Sequence, residues 1–148
     1  MRALLVSTVA ALSLATAAMA QEAGTAEEAQ AMLERAVEAM KTDQAGTLEA
    51  ITAGDPQFKE KDLYVFCGDE SGNFTAHGAN SSLVGQSMRE LKDKADQPLG
   101  ERIYEAGVED TMNTVEYMWP KPGETDPSEK VSYVTKVEGQ VCGVGYYK

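Results

Sequence analysis

The strongest constraint on the fold lies near the C-terminal end of the chain, where three strand-like segments follow one another with no helix between them: residues 114–119, 130–138 and 141–147. A polar loop beginning Pro120-Lys121-Pro122-Gly123 separates the first two, and Glu138-Gly139 turns the second into the third. Strands joined this way pair antiparallel, because parallel neighbours need a long crossover connection, usually a helix. Upstream, Leu63-Tyr64-Val65-Phe66-Cys67 is apolar on both faces, as a central strand requires. Asp69-Glu70-Ser71-Gly72 is a turn signal and Asn73-Phe74-Thr75-Ala76-His77 a return strand, so this stretch predicts a β-hairpin.

The N-terminal part has a helical texture. Thr25 and Glu28 stand at the spacing of a capping box, in which each side chain satisfies an orphan backbone N–H of the first turn. Met32, Leu33, Ala36, Val37 and Met40 recur on one stripe, with Glu34, Arg35, Glu38 and Lys41 opposite. A long amphipathic helix is therefore expected over residues 26–43. Residues 47–53 add one or two turns, stopped by Gly54-Asp55-Pro56. After a small-residue loop at 78–85, short helices are expected at 87–93 and 98–109, the second with Leu99, Ile103 and Ala106 inward. The resulting class is α+β. The long helix buries its stripe on one face of an antiparallel sheet, and residues 78–110 arch over the other face, where they roof a ligand cavity.

Residues 1–20 read as an export signal. Arg2 gives a positive start, residues 3–18 are apolar or small, and Ala18-Met19-Ala20 offers a small-x-small cleavage pattern ahead of Gln21. The expected division is a signal peptide at 1–20 and one domain at 21–148, periplasmic or secreted; a retained anchor is the weaker reading, because the apolar stretch is short for a span. Thirteen basic residues face 24 acidic ones, for a net charge of −11. With no basic patch, nucleic acids and anionic lipid surfaces are excluded as partners. No apolar run after residue 20 is long enough to cross a bilayer. Cys67 and Cys142 fit neither a CxxC redox motif nor a zinc spacing. In an oxidising compartment the even pair points to one disulfide, with two buried thiols as the alternative.

The chain is poorly supplied for catalysis. His77 is the only histidine, with no HxxxH or HxE spacing around it, and no EF-hand loop or glycine-rich nucleotide loop occurs. No enzyme activity, metal or cofactor is expected. Gly143-Val144-Gly145 lies within a strand, where small residues mark close backbone approach. The aromatic and cationic residues are more suggestive. Tyr117 and Trp119 share one strand face, Tyr133 and Tyr147 sit in apolar context, and Lys130 opens a strand. One lysine beside tyrosine hydroxyls and an indole N–H makes a carboxylate-binding set; an aromatic core with a solvated lysine is the other reading of the same residues.

Asp62-Leu63-Tyr64-Val65-Phe66, the turn from Asp69 to Gly72 and Thr75-Ala76-His77 together resemble the opening hairpin of single Cache domains of the second type. The likeness continues through Asn80 to Gly85, Tyr117-Met118-Trp119-Pro120-Lys121-Pro122 and Lys130-Val131-Ser132-Tyr133-Val134, and closes on Gly143-Val144-Gly145-Tyr146-Tyr147. It implies a PAS-like fold: a long N-terminal helix packed on a five-stranded antiparallel sheet, with a ligand cavity on the opposite face under a helical insert. It also implies an extracytoplasmic sensor of small molecules, here short carboxylates, acting in signal transduction or chemotaxis. Carried onto this sequence, the resemblance points to His77, Tyr117, Trp119, Lys130 and Tyr133 as ligand-binding residues. Lys130 would pair with the carboxylate, while the tyrosines and Trp119 would supply donors and an apolar wall. Cys67 and Cys142 would fall on neighbouring strands of such a sheet, where a cross-strand disulfide fits.

Two departures from the family pattern carry expectations. Asp110-Thr111-Met112-Asn113 stands where the family has a glycine-containing lead into the Tyr-x-Trp strand, so a different pocket roof is expected. Receptors of this family carry a second hydrophobic segment beyond the domain, and none follows Tyr147. The expectation is a freestanding domain that presents its ligand to a separate membrane receptor, kinase or transporter. The alternative is an exported interaction module with the same fold and no small ligand.

Overall fold

Thr25 Oγ1 accepts from the Glu28 N–H at 3.2 Å, and the Glu28 carboxylate accepts from the Thr25 N–H at 2.9 Å, closing the capping box that starts α1 (Ala26–Thr42). The computed structural model describes residues 22–148, so the expected signal peptide at 1–20 lies outside the described residues. Asp43 follows α1 and caps α2 (Gln44–Ala53), its carboxylate accepting from the Gly46 N–H at 3.1 Å. Gly54 stops α2 with φ 77°, a left-handed conformation that glycine adopts without a Cβ penalty.

Six strands follow: β1 (Lys59–Glu60), β2 (Leu63–Gly68), β3 (Phe74–His77), β4 (Asn113–Pro120), β5 (Pro127–Val137) and β6 (Gln140–Tyr147). Their order is β1-β2-β6-β5-β4, with β3 also on β2, and every pairing is antiparallel. The expected hairpin is β2–β3 and the three consecutive strands are β4, β5 and β6. The two-residue β1 adds a sixth; a pair of charged residues carries no strand period to read. Among the described residues no helix is long and apolar enough to cross a membrane.

Alternation along the strands divides the core into two layers. Leu63, Val65, Cys67, Ala76, Val137, Cys142 and Val144 face the α1 stripe of Ala29, Met32, Leu33, Ala36 and Met40. Tyr64, Phe66, Phe74, Val115, Tyr117, Val134 and Val141 face the insert, where Met88, Leu99 and Ile103 are buried over them. Leu99 and Ile103 belong to α3 (Leu99–Ala106), which matches the expected second helix with its end drawn in.

The helix expected over 87–93 does not form. Ser87 bridges to Asn73, and the Met88 and Arg89 N–H groups both donate to the Gly72 carbonyl, at 2.7 and 3.0 Å. The Leu91 carbonyl in turn accepts from the Leu99 and Gly100 N–H groups at 3.0 and 2.9 Å, and Lys92 bridges to Pro98, so the segment is held by distant partners at both ends and Met88 is fully buried. Further on, the buried Asp93 carboxylate accepts from the N–H groups of Ala95, Gln97 and Met118 at 2.9, 2.9 and 3.2 Å, tying the insert to β4. Burial raises the pKa of this carboxyl, but the three backbone donors outweigh it and the net shift is downward.

Cys67 and Cys142 stand directly opposite one another in the β2–β6 register, with Cα atoms 4.1 Å apart, and are bonded. The disulfide closes a separation of 75 residues and lies fully buried on the α1 side. A variant with both Cys67→Ala and Cys142→Ala is expected to lose about 2–4 kcal/mol of stability, read as a lower denaturant midpoint. Reductant alone is expected to act slowly on the native protein, because the sulfurs are inaccessible until the sheet opens.

Candidate functional site

The insert-facing side of the sheet carries one charge that the fold encloses completely. Lys130 of β5 is 1 % exposed. Its stem runs across β6 at Gly145, the register partner of Ser132, and reaches β2, where Nζ donates to the Tyr64 hydroxyl at 2.9 Å. The crossing needs a glycine: a Cβ on Gly145 would stand 2.3 Å from Lys130 Cε and 2.4 Å from Ser132 Oγ. The close approach expected of the Gly143-Val144-Gly145 segment is therefore an approach of side chains from neighbouring strands.

Aromatic rings surround the ammonium. Nζ lies 4.1, 5.1 and 5.8 Å from the ring centroids of Tyr64, Tyr147 and Tyr117, a cation–π arrangement. Hydroxyls extend it: Tyr117 shares a hydrogen bond of 2.7 Å with Ser132, Tyr147 donates to the Pro120 carbonyl at 2.7 Å, and the Tyr64 hydroxyl also engages Tyr147 and the Trp119 indole. Burial pushes all three phenols above their ordinary range, so they stay neutral. Burial also pulls Lys130 down to about 7, partly opposed by the Asp62 carboxylate. Among the described residues no carboxylate forms an ion pair with Lys130.

His77, at the end of β3, faces the same side. Its Nδ1 accepts from the Ala79 and Asn80 N–H groups at 3.2 and 2.9 Å, which fixes the imidazole proton on Nε2. Burial first, then the charges of Lys130 and Lys59, depress its pKa to about 3, so it remains a neutral donor. Tyr64, His77, Tyr117 and Trp119 line an inner cavity with Phe66, Phe74, Leu91, Leu99 and Ile103. The free space there is about 20 Å³, on the scale of a single water molecule. Outward, a vestibule of about 290 Å³ shares Tyr64, His77 and Trp119 with the cavity and is rimmed by Asn80, Lys94 and the segment Pro120 to Glu124.

Of the five residues expected at a ligand site, His77, Tyr117 and Trp119 line the inner cavity. Lys130 lies behind Tyr64, adjacent to the cavity rather than on its wall. Tyr133 is not brought there. It is one residue out of phase with Lys130 and Ser132 on β5, so it turns to the α1 face and packs on Tyr146, with ring centroids 6.2 Å apart. Sequence reasoning misses Tyr64, because a strand apolar on both faces does not show which residue meets a cavity. The alternation that assigns Tyr64 and Phe66 to one face was its only available signal.

The sequence matches the model of the family Single Cache domain 2 over residues 1–147. The chain belongs to this family. A curated relative, the methyl-accepting chemotaxis protein McpP of Pseudomonas putida strain KT2440, is 28 % identical over 90 residues; these cover 60 % of this chain and 16 % of the relative. Among solved structures, a methyl-accepting chemotaxis protein from Vibrio parahaemolyticus RIMD 2210633 shares the fold with a TM-score of 0.68 at 23 % identity, over 82 % of this chain and 86 % of that one. A periplasmic sensor domain of a chemotaxis protein matches with a TM-score of 0.59 at 26 % identity, over 82 % and 88 %. A Cache chemosensory domain solved for the structural basis of its carboxylic acid recognition matches with a TM-score of 0.56 at 25 % identity, over 78 % and 83 %. This Cache domain is thus homologous to the sensor domains of chemotaxis receptors, which are non-catalytic.

The depressed pKa values of Lys130 and His77 each contribute to the pH response of the Cache domain. Lys130 drops from 10.5 to about 7, so its favourable contribution is present above the unfolded value and lost as pH falls toward 7. His77 drops from 6.5 to about 3, so the corresponding loss begins below pH 6.5. The urea midpoint is expected to rise between pH 7 and 9 in the wild type and to stay flatter in Lys130→Met; parallel curves would show that the ammonium is not desolvated.

Proposed function

We propose that this Cache domain senses small organic acids, holding a short carboxylate in the cavity bounded by Tyr64, His77, Tyr117 and Trp119 with Lys130 as its counter-charge. One observation carries the reading: a lysine sealed in the core with aromatic neighbours and no carboxylate partner. Isolating a cation from water is costly unless an anion compensates it, and a ligand carboxylate entering beside Tyr64 would do so. The neutral His77 Nε2–H, which has no acceptor among the described residues, would supply a second donor. Carboxylic acid recognition by one structural neighbour supports the ligand class, and the chemotaxis relatives support a sensory role.

The inner cavity is too small for an organic acid as it stands, so binding requires Leu91, Leu99 and Ile103 to move away from the sheet. That coupling of occupancy to the position of the insert is what a sensor needs. A membrane receptor, kinase or transporter in the periplasmic space would read the bound state. The same small volume favours a second reading, an interaction module whose cavity is filled, and calorimetry separates the two.

Acetate, propionate and pyruvate are expected to bind the wild-type protein and raise its melting temperature, whereas a filled module would respond to none of them. Lys130→Met, which keeps the stem volume and removes the charge, is expected to weaken binding about 30-fold or more. A bound carboxylate holds Lys130 protonated, so binding takes up a proton and affinity should fall as pH rises past about 7. Equal affinity of wild type and Lys130→Met would remove the lysine from the site.

A further inference from the structure

The lysines of this chain divide into two groups. Lys41, Lys61, Lys92, Lys136 and Lys148 each pair with a carboxylate. Lys59, Lys94, Lys121 and Lys130 pair with none among the described residues. In a chain with almost twice as many acidic as basic residues, unpaired cations placed at random would find acidic partners easily. Three of these four instead collect at one site: Lys130 lies behind the cavity wall at Tyr64, and Lys94 and Lys121 rim the vestibule.

The aromatic residues of the site connect the inner charge to the outer ones. Lys94 Nζ lies 5.5 Å from the Trp119 ring centroid, and the Tyr147 ring has Lys130 Nζ at 5.1 Å and Lys121 Nζ at 5.8 Å. The separation of the Lys121 and Lys130 ammoniums is therefore no greater than the sum of those two distances. Two charge-assisted hydrogen bonds of about 2.8 Å each, joined by a short carbon chain with a carboxylate at either end, cover such a span. One carboxylate, Glu124, also lines the vestibule, where its N–H donates to the Lys121 carbonyl at 2.9 Å; two lysines against it leave the rim net positive.

We propose that the site is built for a dicarboxylate, with one carboxylate in the inner cavity beside Tyr64 and the other in the vestibule between Lys94 and Lys121. The inference rests on the carboxylate-sensing reading and narrows its ligand class. A monocarboxylate would satisfy the inner charge and leave the outer pair to water. A dianion engages both, and its chain runs past His77 and Trp119, which the two spaces share.

Calorimetry on the full-length protein with succinate and butyrate tests this directly, because the two probes differ in whether a methyl or a second carboxylate ends the chain. Succinate is expected to bind about tenfold or more tighter than butyrate, with a steeper loss of affinity on adding salt. Combining Lys94→Gln with Lys121→Gln is expected to lower the succinate-to-butyrate affinity ratio about tenfold. Butyrate binding as tightly as succinate overturns the dicarboxylate assignment and leaves the sensor reading standing. So does a ratio that the double variant does not move. If neither acid binds at millimolar concentration, the dicarboxylate assignment is overturned, and the sensor reading falls with it only if acetate, propionate and pyruvate also fail to bind.

Discussion

The arrangement of the insert-facing half of this domain follows from one buried ammonium. Lys130 can reach Tyr64 only because Gly145 removes a side chain from its path, and only because the strand order places β6 between β5 and β2. A cation held there needs polarisable surroundings in place of water. Three tyrosine rings within 5.8 Å supply them, and their hydroxyls are in turn tied to Ser132 and Pro120. Burial keeps those phenols neutral, so the cluster has no anion of its own to neutralise Lys130. The fold bears this desolvation cost, which Asp62 offsets only in part, and a buried charge of this kind beside a cavity marks a candidate functional site.

The two faces of the sheet are not independent. Asp62, whose charge acts on Lys130, is buried and accepts the Gly24 N–H at 2.7 Å, just ahead of the α1 capping box. Tyr64 alternates along β2 with Leu63 and Val65, which pack on α1, and the Cys67–Cys142 bond fixes β2 to β6 behind the cavity. The disulfide fixes the sheet behind the cavity, and the insert is tied to the sheet at its margins, through the Gly72 carbonyl, the Asp93 carboxylate, Tyr104 on the Asp69 carbonyl and Asn113 on the Ala106 carbonyl. Over the cavity itself only the apolar side chains of Leu91, Leu99 and Ile103 meet the sheet, so a change of volume there falls on them.

Sequence reasoning recovers the elements whose cause is local. The Thr25–Glu28 box, the α1 stripe, the β4-β5-β6 succession and the stop at Gly54 each depend on a few neighbouring residues, and each is found where expected. It fails where a long-range partner decides. Ser87 to Asp93 has helical composition, but Gly72 and Asn73 capture its backbone groups across the hairpin. For the site, His77, Tyr117, Trp119 and Lys130 are legible as a set, whereas Tyr133 requires the strand phase that Lys130 itself fixes. Tyr64 and Gly145 become visible only once β5, β6 and β2 are known to lie side by side, since no sequence spacing relates the three.

The charge of the whole molecule and that of the site have opposite sign, and distance reconciles them. At physiological ionic strength the field of exposed carboxylates decays over about 8 Å, so an approaching anion meets the net charge of −11 only weakly. Inside the vestibule the nearest groups are Lys94 and Lys121, and inside the cavity the nearest charge is Lys130, where low polarisability strengthens every interaction. A long polyanion cannot use this arrangement, because most of its charges stay outside among the carboxylates. A small anion of the kind proposed can, because once the insert side chains move aside all of it lies where the lysines dominate. The acidic composition that disfavours nucleic acid is therefore compatible with the proposed site for compact acids.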